Sequence, residues 1–179
     1  GFGLFDLPVV TVRNMQKLFL FLKKCGYKSI YLCYNSGWTG KELDRYFLSK
    51  FLWNPDFDLE KELNAYYTGM YGEKIGVIMK QYYELIENSI NTVFTGDNFV
   101  AHYISGEPYE PIQAQRIFTN ILDKMRDLVL EAYNMSKNEN DVIKSRMNFV
   151  LESFKYCDYT VNDIIADKKM PKSDRDINI

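Results

Sequence analysis

Residues 73–95, 111–134 and 141–159 repeat apolar side chains every three or four positions, and nothing else in the chain constrains its fold as strongly. At about 3.6 residues per turn, that spacing gathers them on one face of a helix, and the face must be buried against another element. In the first stretch the stripe is Ile75, Ile78, Met79, Tyr82, Leu85, Ile86, Ile90 and Val93. In the second, opened by Pro111, it is Phe118, Ile121, Leu122, Met125, Leu128, Val129 and Ala132. The third carries Ile143, Met147, Val150, Phe154 and Cys157. Three such helices with modest connections imply an up-and-down bundle.

The first half is built of shorter pieces. Residues 1–10 are apolar without a helical period, and Pro8 interrupts them. Thr11 is a good N-cap for a helix to Lys24, with Met15, Leu18, Phe19, Leu22 and Cys25 at helical spacing and Gly26 as its stop. The run 27–34 (YKSIYLCY) is short, aromatic and β-leaning, so it is expected as a strand. After a loop (NSGWTG), Thr39 and Glu42 have capping-box spacing for a helix whose face is Leu43, Tyr46, Phe47 and Phe51. Pro55 ends that helix, because proline disfavours helical geometry in the residue before it. Asp58 caps the next one, which runs to about Tyr71 before Gly72. Trp53 is expected to be buried between the two, where removing its ring would cost roughly 3–5 kcal/mol.

A single strand cannot satisfy its own ladder groups. Either residues 7–10 pair with it, or its neighbours lie in sequence outside this chain, and the second is the expectation. The chain also opens Gly-Phe-Gly without a methionine, as a processed product or excised piece would.

Charge narrows the partners. Lys and Arg number 22 against 24 Asp and Glu, a net charge of −2. A nucleic-acid binder would show a basic face, so no nucleic-acid partner is expected. No window approaches the ~18–20 apolar residues of a membrane span, and no signal peptide is visible. Cys25, Cys33 and Cys157 neither form a disulfide framework nor match a zinc spacing. Cys25 and Cys33 read as small core residues.

Candidate chemistry is thin. His102 stands alone in a loop, with no second histidine or cysteine nearby. Asp56 and Asp58 begin like a calcium loop but lack its glycine and distal glutamate, which leaves them turn-making and capping. Glu84 with Glu87, and Glu60 with Glu62, are close enough in sequence for acid–base pairs, yet they fall on the polar faces of amphipathic helices. The opening GFG has no preceding strand and is no phosphate loop. No cofactor or metal is implied. The aromatics Tyr31, Tyr34, Trp38, Trp53, Tyr66, Tyr67, Tyr82 and Tyr83 include adjacent pairs, which on a helix cannot both face one core. Most of these rings are expected in the core with their phenol groups at its edge, and some at the surface, for sugar stacking or a domain interface.

The string 51–58 (FLWNPDFD), followed by Tyr66-Tyr67 and then Met70-Tyr71-Gly72, resembles the C-terminal region of large secreted (β/α)8-barrel proteins. These proteins are similar to α-glucuronidases and hexosaminidases, and the region is known as a domain of unknown function. The resemblance covers residues 14–90. It implies that residues 14–21 are the last barrel helix and 27–34 the final barrel strand, with the catalytic carboxylates upstream of this chain.

On that resemblance the fold class is mainly α: a helical bundle with a small N-terminal α/β remnant of a barrel, carrying one or two short strands. Residues 1–40 would be the end of the barrel, 41–167 the helical C-terminal domain and 168–179 a flexible tail. The chain would be a non-catalytic accessory domain of a glycoside-hydrolase-like, extracytoplasmic protein. It would close the upstream barrel and lend Tyr34, Asn35 and Trp38 to a carbohydrate-binding rim, since barrel ligands gather at the C-terminal ends of strands. The competing class is a helical module that binds another protein through exposed aromatics. A self-contained enzyme is a third reading, weakened by the lack of a nucleophile–base set.

Overall fold

The computed structural model describes residues 7–30, 40–94 and 111–166. Among them stand seven helices and no strand. They are α1 (Val12–Lys24), α2 (Glu42–Trp53), α3 (Leu59–Tyr71), α4 (Glu73–Val93), α5 (Pro111–Phe118), α6 (Leu122–Ser136) and α7 (Asp141–Ala166).

Local chemistry explains most of the ends. At the close of α1, Gly26 takes a positive φ of 81°, and the amides of Gly26 and Tyr27 donate back to Lys23 and Leu22 at 3.0 and 3.2 Å. This is the Schellman arrangement that satisfies a helix's last carbonyls. The Asp58 carboxylate accepts from the Lys61 amide at 3.1 Å to start α3. Asn140 caps α7 by accepting from the amides of Val142 and Ile143, both at 3.1 Å. Residue Gly72, at φ 80°, is the whole connection between α3 and α4.

The centre of the fold is α4. It packs against α3 on one side and against α5 and α6 on another, and α7 closes over α6, α5 and α3. The expected stripe of α4 is buried as read, with Ile75, Ile78, Met79, Tyr82, Ile86 and Ile90 all inside and Leu85 and Val93 at the edge. Helices α1 and α2 pair as a second layer. An aromatic seam joins it to α3: Phe19 lies 5.9 Å from Phe51, Phe51 stacks on Phe57 at 5.4 Å, and Phe47 meets Tyr66 at 5.9 Å. One continuous set of buried side chains extends from Leu7 to Ile164.

Several expectations fail, each for a physical reason. The α/β remnant over residues 1–40 finds no support. Residues 27–30 have irregular backbone, and 31–34 lie outside the described residues. Residues 7–10 form no ladder either. Their segment is buried, and the Val9 amide donates to the Gly40 carbonyl at 3.1 Å just before α2. Trp53 is 93% exposed, not buried. The inward face of α2 runs Leu43, Phe47, Phe51, and two further residues carry Trp53 roughly 200° around the helix. Cys25 is exposed at the end of α1 rather than in the core, whereas Cys157 is buried.

The single helix expected over 111–134 is broken at 119–121. Its register changes where the Ile121 amide bonds to Phe118 at 3.0 Å and the Ser89 hydroxyl of α4 donates to the Ile117 carbonyl at 2.5 Å. Continuing the helix would have given that carbonyl to Ile121 instead. Finally, Tyr66, Tyr67, Tyr82 and Tyr83 are all buried. Adjacent rings can both be inside because α3 and α4 each have neighbours on more than one side, so the buried arc exceeds one face.

The α3–α4 hairpin yields a paired test. A Cβ on Gly76 would lie 2.8 Å from the Tyr67 carbonyl oxygen, whereas a Cβ on Gly69 would meet nothing within 4 Å. Gly76→Ala is expected to destabilise the fold by roughly 1–3 kcal/mol. Gly69→Ala, in the same hairpin, should stabilise it by about 0.5–1 kcal/mol. Urea denaturation of the two variants measures both, and equal midpoints would show that α3 and α4 are not so close.

Candidate functional site

The most elaborate polar arrangement lies where the amino end of α1 enters the body of the fold. Thr11 precedes that helix but does not cap it with its own side chain. Asp44 of α2 does so instead. Its carboxyl accepts from the Thr11 amide at 2.9 and 3.1 Å and from the Thr11 hydroxyl at 2.7 Å. Glu87 of α4 takes the next available donor, the Arg13 amide, at 2.9 Å. The Arg13 guanidinium then reaches Glu87, Glu84 at 2.9 Å and Glu60 at 2.8 Å, with Lys80 beside the last two at 3.9 and 3.7 Å. A helix start presents unpaired N–H groups and a positive dipole, so carboxylates are the groups that satisfy it best.

This cluster corrects the reading of Glu87 as a member of a polar face: it is 2% exposed. It also argues against an acid–base pair, since Glu60, Glu84 and Glu87 all converge on one guanidinium. Burial pushes the Asp44 carboxyl up to about 8, against the pull of the Thr11 donors. Burial raises Glu87 as well, opposed by its bonds to Arg13.

A second polar line crosses the core between α2, α3 and α4. The hydroxyls of Tyr71 and Tyr83 are 3.2 Å apart, and Tyr83 donates to Oε1 of Glu42. Oε2 of Glu42 is shielded from water and has no hydrogen-bond partner. Burial raises this carboxyl, while the Tyr83 bond and the amides of Glu42, Lys41 and Gly40 at the start of α2 lean the other way.

The third feature is a groove of about 370 Å3 between the ends of α1 and α2. Phe19 and Phe51 form its floor, and Tyr27, Leu52 and Trp53 stand at its walls. Tyr27 is 63% exposed, and Phe21, in the same last turns of α1, is 61% exposed. Lys23 beside them is paired with Asp56.

Tyr34, Asn35 and Trp38, the residues expected at a sugar rim, lie outside the described residues, as do Cys33 and His102. Sequence reasoning picked out Trp53 but assigned it to the core. It marked Glu42 only as a capping-box residue, and passed over Asp44 and Arg146 because nothing in their local pattern marks them. Among the described residues no group of His, Cys, Asp or Glu could hold a metal ion, and no helix is long and apolar enough to cross a membrane. Compared with known proteins, the chain matches no family model, no curated protein and no solved structure. The class that the fold defines is a mainly helical bundle, with an α1–α2 layer latched to it by buried carboxylates.

The latch has a pH signature. A carboxyl whose folded value rises from the ordinary range to about 8 binds its proton more tightly in the fold than in the unfolded chain. Its contribution is complete below about pH 4 and is lost as pH rises through about 8. Asn at this position imitates the protonated acid, since its oxygen accepts from the Thr11 amide and its amide group donates to the Thr11 hydroxyl. Asp44→Asn should therefore flatten the stability profile between pH 4 and 8, measured by urea denaturation at several pH values. Asp44→Ala, which orphans the Thr11 donors, should cost roughly 1–3 kcal/mol or more below about pH 4, and less as pH rises toward 8. A wild-type profile with no such slope, or one that Asp44→Asn leaves unchanged, would show that Asp44 does not titrate in this range.

Proposed function

We propose that this chain is a non-catalytic helical domain of a larger carbohydrate-active protein, and that it docks on the rest of that protein through the α1–α2 layer. The observation that carries the reading is the groove end of that layer, where Trp53 and Tyr27 are largely exposed and Leu52 is half-exposed. Large apolar side chains grouped around a groove mark an interaction surface more often than a free one. Their exposure follows from the fold, because the inward faces of α1 and α2 are already filled by Phe19, Phe47 and Phe51. The resemblance to the C-terminal regions of barrel glycosidase-like proteins supplies the partner class: the upstream barrel, in an extracytoplasmic protein, with Tyr34, Asn35 and Trp38 at its sugar-facing rim.

A second reading, a helical module that binds a separate protein, draws on α7. Val142, Phe149 and Tyr156 repeat there at intervals of seven residues and remain 57, 46 and 44% exposed. Such a stripe suits a partner helix.

Trp53→Ala separates the two. In the isolated chain the substitution should change stability by less than about 0.5 kcal/mol, as exposed sites do. In the parent protein the same substitution should lower the melting temperature by several degrees. No effect in the parent would leave the α1–α2 end a free surface and favour the α7 reading.

The isolated chain is also expected to hydrolyse no aryl-glycoside, because Glu60, Glu84 and Glu87 are committed to Arg13. Turnover abolished by one Asp or Glu substitution in this chain would overturn the non-catalytic assignment.

A further inference from the structure

Between α2, the end of α3 and the first turns of α7 lies a cleft of about 300 Å3, lined by Glu42, Met70, Tyr71, Ser145, Arg146, Phe149 and Val150. That is the small end of the range for ligand pockets (~300–1,000 Å3), enough for one small molecule. It is separate from the α1–α2 groove and independent of the docking reading.

The polar groups around this cleft are incompletely used. Glu42 spends Oε1 on Tyr83, and Oε2, with only the amides at the start of α2 near the carboxyl, makes no hydrogen bond. No ion pair of Glu42 occurs among the described residues. A buried carboxylate oxygen without a hydrogen bond is costly, and such a group in a fold calls for a partner that satisfies it. The torsion that turns a glutamate carboxyl is soft, so the unpartnered oxygen can swing toward an arriving donor. Tyr71 cannot be that donor, since its hydroxyl is already engaged with Tyr83.

Arg146 stands at the same cleft with the opposite charge. Its Nη1 donates to the carbonyls of Gly69 and Met70, at 3.1 and 2.9 Å, which anchors the guanidinium over the end of α3. No further hydrogen bond of Arg146 occurs among the described residues. An anchored guanidinium with donors to spare is suited to a carboxylate. The same lining includes the apolar side chains of Met70 and Val150 and the half-exposed ring of Phe149.

We propose that this cleft binds a small zwitterion, an α-amino acid with an apolar side chain. Its ammonium group meets Glu42, its carboxylate meets Arg146, and its side chain lies on Met70, Phe149 and Val150. Each alternative leaves one charge unanswered. A simple anion does nothing for Glu42, a simple cation does nothing for Arg146, and a hydrocarbon satisfies neither.

Titration of the isotope-labelled chain with L-leucine, followed by amide chemical shifts, tests the proposal. Saturable shifts are expected at Tyr71, Ser145, Arg146 and Phe149. Leucinamide, which lacks the carboxylate, and N-acetyl-leucine, which lacks the ammonium, should each bind at least about tenfold more weakly, as the loss of one charged hydrogen bond requires. Glu42→Gln should weaken leucine by a similar factor while the rest of the spectrum is unchanged. Arg146→Lys, which keeps the charge but not the fork, should do the same and covers the case in which the first variant is unstable. The absence of saturable shifts with leucine at millimolar concentrations overturns the site. So does equal binding of the three ligands, which would reduce it to a greasy cleft.

Discussion

The amino end of α1 is held by carboxyl groups from two other helices, and the layered architecture depends on that contact. Helices α1 and α2 pair with each other, but their helical faces alone do not dictate how the pair sits on the α3–α7 bundle. The aromatic seam through Phe47, Phe51 and Tyr66 contributes burial, which is large and non-directional. Direction comes from Asp44 at the Thr11 donors and from Glu87 at Arg13. Both carboxyls are buried, so each is costly unless its partners are in place. The latch therefore specifies one seating of α1 rather than simply adding attraction.

What sequence could reveal here was local. A stripe such as Ile75, Met79, Tyr82, Ile86, Ile90 is legible because helical neighbours are three or four positions apart, and the same holds for the caps at Asp58 and Gly26. The latch is not local: Thr11 and Asp44 are 33 residues apart, Arg13 and Glu87 74. Glu87 looks like any other glutamate of a polar face until Arg13 is placed opposite it. Trp53 misled for the reverse reason. Its size argues for burial, yet its angular position on α2, set against Phe47 and Phe51, argues for exposure, and the angle decides.

The adjacent tyrosines carry a related lesson. Tyr66–Tyr67 and Tyr82–Tyr83 look over-supplied for an amphipathic helix, because that pattern assumes one buried face. Helix α4 has partners on several sides, so Tyr83 packs toward α2 and α3 while the Tyr82 ring sits edge-on beside it at 5.2 Å. Tyrosine suits that middle position because its ring fills the core while its hydroxyl finds a polar partner. The Tyr71–Tyr83–Glu42 line is the result. For the candidate cleft, legibility was poorer still: Glu42 was noticed only as a capping-box residue, and Arg146 not at all.

The one-residue connection at Gly72 has a consequence for how the molecule comes apart. Helices α3 and α4 are joined by almost the shortest link two helices can have, so bringing them together closes hardly any chain. Seating α1 on α4 through Arg13 and Glu87 closes 74 residues of it. Each doubling of a closed loop adds only about 0.6 kcal/mol, but from a one-residue turn to that span the difference accumulates over several doublings. The entropy released on opening is correspondingly greater for α1 than for the α3–α4 hairpin. Thermal fluctuations should therefore free the amino-terminal layer well before they separate the α3–α4 hairpin, leaving a residual core with the surface beneath α1 uncovered.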